Sequence, residues 1–173
     1  MQQCILKLGV IGLKSIGYKY SQLFLEHSLQ ENPENMIFTD GDIIKDIETN
    51  EYFKNKVNEI IKKHSNSNSF YTGEKQESFS FSEGDLFYSI HNSYIDIRGN
   101  KVNDKKWNLD IILSDTYDFT DFKEIREYMN KDNICKALFG STGYNLAMIG
   151  NSCKVVNTYE ITIKFRMENW EEF

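Results

Sequence analysis

The polar run Ser65-Asn66-Ser67-Asn68-Ser69 divides the chain between two hydrophobic periods. Before it, apolar residues recur every three to five positions, as on one face of a helix; after it, they alternate with polar residues, as on one face of a strand. A chain patterned this way predicts an α+β fold, helices first and sheet afterwards. Serine and asparagine favour turns, so the run itself reads as a loop that permits a hinge.

The helical half contains three segments. Leu13, Ile16, Tyr20, Leu23, Phe24 and Leu29 predict an amphipathic helix over 13–31, stopped by Pro33, because proline disfavours helical geometry in the residue before it. A second, short helix opens near Thr39 or Asp40, whose side chains suit a helix cap, and carries Ile43, Ile44 and Ile47. A third follows Thr49 or Asn50 with Tyr52, Phe53, Val57, Ile60 and Ile61, and closes on Lys62, Lys63 and His64, suited to the negative end of a helix.

In the second half Phe79 and Phe81 alternate with Ser78, Ser80 and Ser82, predicting a half-buried strand. Ile95 and Ile97 alternate with Tyr94, Asp96 and Arg98; after a turn containing Gly99, Asn100, Asn103 and Asp104, Trp107, Leu109, Ile111 and Leu113 alternate with polar partners. That predicts an antiparallel hairpin. The longest alternation, Tyr159, Ile161, Ile163, Phe165 and Met167, predicts a C-terminal strand, and residues 121–150 return to helical character. The expected architecture is N-terminal helices followed by an antiparallel sheet of about four strands with one or two inserted helices. It is one domain over residues 1–173, with a helical part at 1–64 and a β-rich part at 70–173.

Composition narrows the function classes. Twelve Phe and ten Tyr supply large rings for a core, so disorder of the whole chain is excluded. The charge of 20 − 26 = −6, without a long basic block, argues against a general duplex-DNA binder, whose affinity comes mostly from neutralising phosphates. Neither an HNH-like nor a paired-histidine nuclease signature is present. Cys4, Cys135 and Cys153 form neither a disulfide framework nor a zinc pattern. The most apolar run, Ile5 to Ile16, is interrupted by Lys7, Gly9, Gly12 and Lys14, so no transmembrane segment and no classical signal peptide are expected. Gly140-Ser141-Thr142-Gly143 lacks the spacing of a phosphate loop and reads as a packing or turn element.

The chemistry-bearing segment is Ser114-Asp115-Thr116-Tyr117-Asp118-Phe119-Thr120-Asp121, where the Trp107 strand runs out. In an extended backbone Asp115 and Tyr117 share one face; if a helix starts near Thr120, Asp118 and Asp121 become neighbours at i, i+3. Asp115, Asp118 and Asp121 offer the hard oxygen ligands of Mg²⁺ or Ca²⁺. Crowded carboxylates also split their protonation between an acid and a base. Equally, Asp115 and Asp118 can fold the turn or cap the next helix through backbone hydrogen bonds. Of the histidines, His64 reads as solvated and His27 as a packed or surface residue of the first helix. His91, before the Tyr94 strand, is the candidate proton carrier, or else a hydrogen-bonded edge residue.

Asp115-Thr116-Tyr117-Asp118 resembles the D-x-Y-D core of the colicin M family, toxins that cleave the lipid-linked peptidoglycan precursor lipid II on its pyrophosphate side. That family carries an arginine with an adjoining histidine shortly afterwards. Arg126 matches the arginine, but Ile125 stands before it and the histidine is missing, so the resemblance leaves His91 to supply it. A broader resemblance runs through Leu25 to Gln30, Gly84 to His91, Ser114 to Phe119 and Tyr159 to Phe165. These are similar to C-terminal toxin domains of Gram-positive polymorphic toxins of the Rhs or LXG kind. The resemblance implies an antibacterial effector used in bacterial competition, delivered as part of a larger protein or by a dedicated system, with a cognate immunity protein as partner. On the colicin M reading it implies a hydrolase of a phosphodiester or pyrophosphate bond in a lipid-linked envelope precursor. There Asp115, Tyr117, Asp118, Arg126 and His91 are the catalytic residues, and a divalent metal is held by Asp115, Asp118 and Asp121. The competing expectation is a cytoplasmic, non-enzymatic interaction or immunity protein whose acidic surface binds a basic partner.

Overall fold

In the computed structural model, residues 10, 13–15, 17–90, 92–118 and 157–171 are described. The chain is α+β: α1 (Lys19–Ser28), β1 (Met36–Phe38), α2 (Asp42–Thr49), α3 (Glu51–Lys63), β2 (Ser69–Tyr71), β3 (Ser78–Phe79), α4 (Gly84–Ser89), β4 (Ser93–Asn103), β5 (Lys106–Tyr117) and β6 (Tyr159–Glu171). The residues divide into two compact units. The first comprises Met1–Glu34, Glu83–Ser89 and Thr116–Tyr159; the second comprises Asn35–Ser82, Ile90–Asp115 and Glu160–Phe173. No helix among the described residues is long and apolar enough to cross a membrane. The expected helical stretch at 121–150, the three cysteines and the Gly140–Gly143 run lie outside the described residues.

The second unit holds the sheet, apart from the last two residues of β5 and the first of β6. Its strand order is β1-β6-β5-β4-β2, with β3 also paired to β4. Among the described residues the sheet is therefore mixed and six-stranded, where sequence alone predicted about four antiparallel strands. β1 lies parallel to β6, Met36 opposite Ile161 and Phe38 opposite Ile163. The two strands missed, β1 and β2, are three residues long, too short for a periodicity to declare itself.

The hairpin β4–β5 forms as predicted, with Ile95 opposite Leu113 and Ile97 opposite Ile111. Its turn is tighter than expected. Asp104-Lys105 makes the reversal, with Asn103 Oδ1 accepting the Lys105 N–H at 3.0 Å, while Gly99 and Asn100 stay inside β4. Glycine is required at 99 because a Cβ there would run into the Phe70 ring of β2. Among the described residues β6 is the longest strand, in line with its alternation. The Ser78–Ser82 alternation survives in burial, with Phe79 and Phe81 inside, but the ladder spans only Ser78–Phe79.

α2 and α3 place Ile43, Ile44, Ile47, Phe53, Val57, Ile60 and Ile61 in the core that Ile95, Ile97, Trp107, Leu109, Ile111, Ile161 and Ile163 supply from the sheet. Phe53 meets Phe79 and Phe165, with ring centroids 6.1 and 5.8 Å apart. α3 starts after Asn50, one of the two positions expected, and Asn50 caps it: its Oδ1 accepts the N–H groups of Tyr52 and Phe53. α2 is not capped by Thr39 or Asp40; Gly41, at φ 100°, occupies its N-cap without a side-chain bond. The Ser/Asn run is tied to the sheet, since Lys101 donates its N–H to Asn68 and its Nζ to Ser65. His64, expected in solvent, stacks flat on Phe70 at 4.6 Å and 3°.

Glu77 knits this unit together. Its carboxylate takes Lys56 Nζ at 2.9 Å and Lys63 Nζ at 3.4 Å. The hydrogen bond from Lys56 is the main reason the Glu77 carboxyl is held below the ordinary glutamate range. A carboxyl with a depressed folded pKa stabilises the fold above its unfolded pKa, and that contribution disappears as pH falls through the folded value. Glu77→Gln is therefore expected to lower stability by about 1 kcal/mol at about pH 7, and by progressively less as pH falls through the folded value, measured by urea unfolding along that pH series.

Candidate functional site

The strand that carries the D-x-Y-D residues is built by period 2: Trp107, Leu109, Ile111 and Leu113 point inward along β5. Continuing that count puts Asp115 and Tyr117 on the same inward face, as the sequence predicted. Asp115 is half-buried and is the last residue of the second unit on this strand. Thr116 is exposed, Tyr117 is buried with 8% of its surface accessible, and Asp118, just past the strand, is half-buried; these three belong to the first unit.

In the first unit Tyr117 sits in an aromatic cluster. Phe24 of α1, fully buried, presents its edge to the Tyr117 ring at 5.9 Å and 69°. Tyr159 lies on it at 5.3 Å and 34°, and the Tyr159 hydroxyl donates to the Phe24 carbonyl at 2.9 Å. His27 packs its edge on Tyr159 at 4.6 Å. Its two ring nitrogens face a carbonyl and an amide: Nε2 lies 2.8 Å from the Glu34 oxygen and Nδ1 lies 3.1 Å from the Gln30 side-chain nitrogen. A carbonyl can only accept and the amide nitrogen can only donate, so these partners suit the neutral ring with its proton on Nε2. His27 is thus a packed residue bracing the chain after α1.

α1 ends at Ser28, five residues before Pro33, because Ser28 turns its hydroxyl onto Leu25 and the following amides bond back to Glu26 and His27. Its start is also earlier broken than periodicity implied: residues 13–15 are helical, and Gly17 at φ 79° separates them from α1. The residue at the cap, Tyr18, offers no side-chain bond. Asp85 of α4 does the capping instead, accepting the N–H groups of Tyr20 at 2.7 Å and Ser21 at 2.8 Å and the Ser21 hydroxyl at 2.6 Å. No sequence signal links residues 64 positions apart, so this cap was illegible beforehand. Asp85→Ala is expected to cost about 2 kcal/mol, because it orphans two helix-end donors. Asp85→Asn, which keeps one acceptor oxygen, should recover part of that loss in a urea titration, and equal unfolding midpoints for all three proteins would contradict the cap.

Of the residues singled out from sequence, Asp115, Tyr117 and Asp118 are placed; His91, Asp121 and Arg126 lie outside the described residues. Among the described residues no group of three His, Cys, Asp or Glu side chains is close enough to hold a metal ion. The available donors, carboxylate oxygens, are of the type that Mg²⁺ and Ca²⁺ accept.

No protein family, curated protein or solved structure matches this chain. The functional reading therefore stands on the strand end itself.

Proposed function

We propose that the chain is an antibacterial effector domain of the polymorphic-toxin kind that hydrolyses a phosphodiester or pyrophosphate bond in a lipid-linked envelope precursor such as lipid II, with an immunity protein as its cognate partner. The observation that carries the reading is Asp115-x-Tyr117-Asp118 at the end of β5, where a buried, ring-packed tyrosine precedes a half-buried carboxylate. Reactive groups displayed at the end of a rigid strand keep their geometry while the chain beyond them meets substrate.

In this reaction water attacks phosphorus and the bond to the leaving oxygen breaks, the electron pair going with that oxygen. The Asp118 carboxylate takes the proton of the attacking water, Asp115 adds a second acceptor, and His91 returns a proton to the leaving oxygen. Arg126 neutralises charge that builds on the phosphoryl oxygens. Tyr117, its ring packed against Phe24 and Tyr159, donates a hydrogen bond from its hydroxyl. A Mg²⁺ or Ca²⁺ ion held by Asp115, Asp118 and Asp121 would add Lewis-acid stabilisation of the same charge.

The test is direct. Purified chain incubated with lipid II should release a phosphorylated sugar fragment separable from the prenyl lipid, and addition of a chelator should reduce the release. Bacteria exporting the chain to the periplasm should lyse, while those keeping it in the cytoplasm should grow. No cleavage together with normal growth in both compartments would overturn the reading in favour of a non-enzymatic, acidic interaction or immunity protein, with Asp115–Asp118 serving only as a turn.

A further inference from the structure

We infer that Tyr159 is a positioning residue for the Tyr117–Asp118 strand end; the inference rests on the hydrolase reading of that strand end. Tyr159 is 3% exposed and opens β6, far from β5 in sequence. Among the described residues three contacts hold its ring: its hydroxyl donates to the Phe24 carbonyl, His27 abuts one side, and its plane lies against Tyr117. Phe24 holds Tyr117 from another direction. Among the described residues the Tyr117 ring thus has two aromatic neighbours, and one of these is tethered by a hydrogen bond to the backbone of the helix that carries the other.

Aromatic contacts of this kind are directional, since ring quadrupoles favour offset and edge-on arrangements over arbitrary ones. A branched aliphatic side chain at 159 would fill space without dictating the tilt of Tyr117. Asp118 is the next residue along the backbone, so a tilt of Tyr117 is transmitted to its carboxylate. Misplacement of a reacting group by about 1 Å costs on the order of 100-fold in rate. The Tyr159 hydroxyl itself is spent on Phe24, so Tyr159 acts on the reaction through Tyr117.

The experiment compares wild type, Tyr159→Phe, Tyr159→Leu, Tyr159→Met and Asp118→Asn as full chains on lipid II, with rates normalised to the folded fraction from circular dichroism. Tyr159→Leu should lower kcat about 10- to 100-fold with KM unchanged, and Tyr159→Phe, which keeps the ring, should restore kcat to within about threefold of wild type. Tyr159→Met, unbranched and able to fill an irregular gap, should show the same kcat loss and serves if the leucine variant fails to fold. Wild-type kcat in a folded leucine or methionine variant, with Asp118→Asn inactive, overturns the positioning role and leaves the hydrolase reading intact. An inert wild type overturns the hydrolase reading, and this inference with it.

Discussion

Asp118→Asn is expected to lower both lipid II cleavage and killing on export by at least about 100-fold, the lower range of what a positioned general base contributes. The substitution exchanges one carboxylate oxygen for an amide nitrogen of nearly the same size. Packing around the half-buried side chain is therefore kept, while the ability to take a proton from water is lost. The unfolding temperature should stay at its wild-type value, which separates loss of chemistry from loss of fold. A variant that cleaves and kills as well as wild type would remove Asp118 from the reaction.

Trp107→Ala carries the largest expected cost in stability, about 3–5 kcal/mol, the range for emptying a buried large aromatic site. Trp107 is fully buried at the start of β5, meets Phe70 edge-on at 5.4 Å and lies beneath Lys101 Nζ, 5.7 Å from its ring. Against a typical total stability of about 5–15 kcal/mol, that loss would leave much of the protein unfolded at moderate temperature. Trp107→Phe should cost far less, for a reason specific to this site. The indole N–H is buried without a hydrogen-bond partner, and an unsatisfied buried donor is itself worth about 1–3 kcal/mol against the fold. Removing it with the second ring offsets part of the cavity left behind. Urea unfolding of the two variants measures the contrast; similar losses for both would mean that the N–H is satisfied by water.

The candidate site was legible where its geometry is local. Asp115 and Tyr117 share a face because a strand alternates every residue, and Trp107 to Leu113 announced that strand well before the chemistry began. What holds Tyr117 was not legible: Phe24 and Tyr159 look like ordinary core positions in their own segments, and only the fold sets their rings against it. His64 shows the same gap, since a polar helix end predicts solvent and nothing in the sequence announces the Phe70 ring beneath it.

By itself the sequence determined the α+β class, a helix opening near Asn50, the β4–β5 hairpin and the C-terminal strand β6. Each follows from hydrophobic period or from hydrogen bonds between residues a few positions apart. The tertiary structure decided that β1 pairs in parallel with β6, that Asp85 caps α1, and that Tyr159 braces Tyr117. Those contacts join residues between 42 and 125 positions apart, as in Tyr117 with Tyr159 and Met36 with Ile161. No local preference encodes a contact of that range; it exists only where burying the combined apolar surface outweighs the entropy of closing the intervening chain.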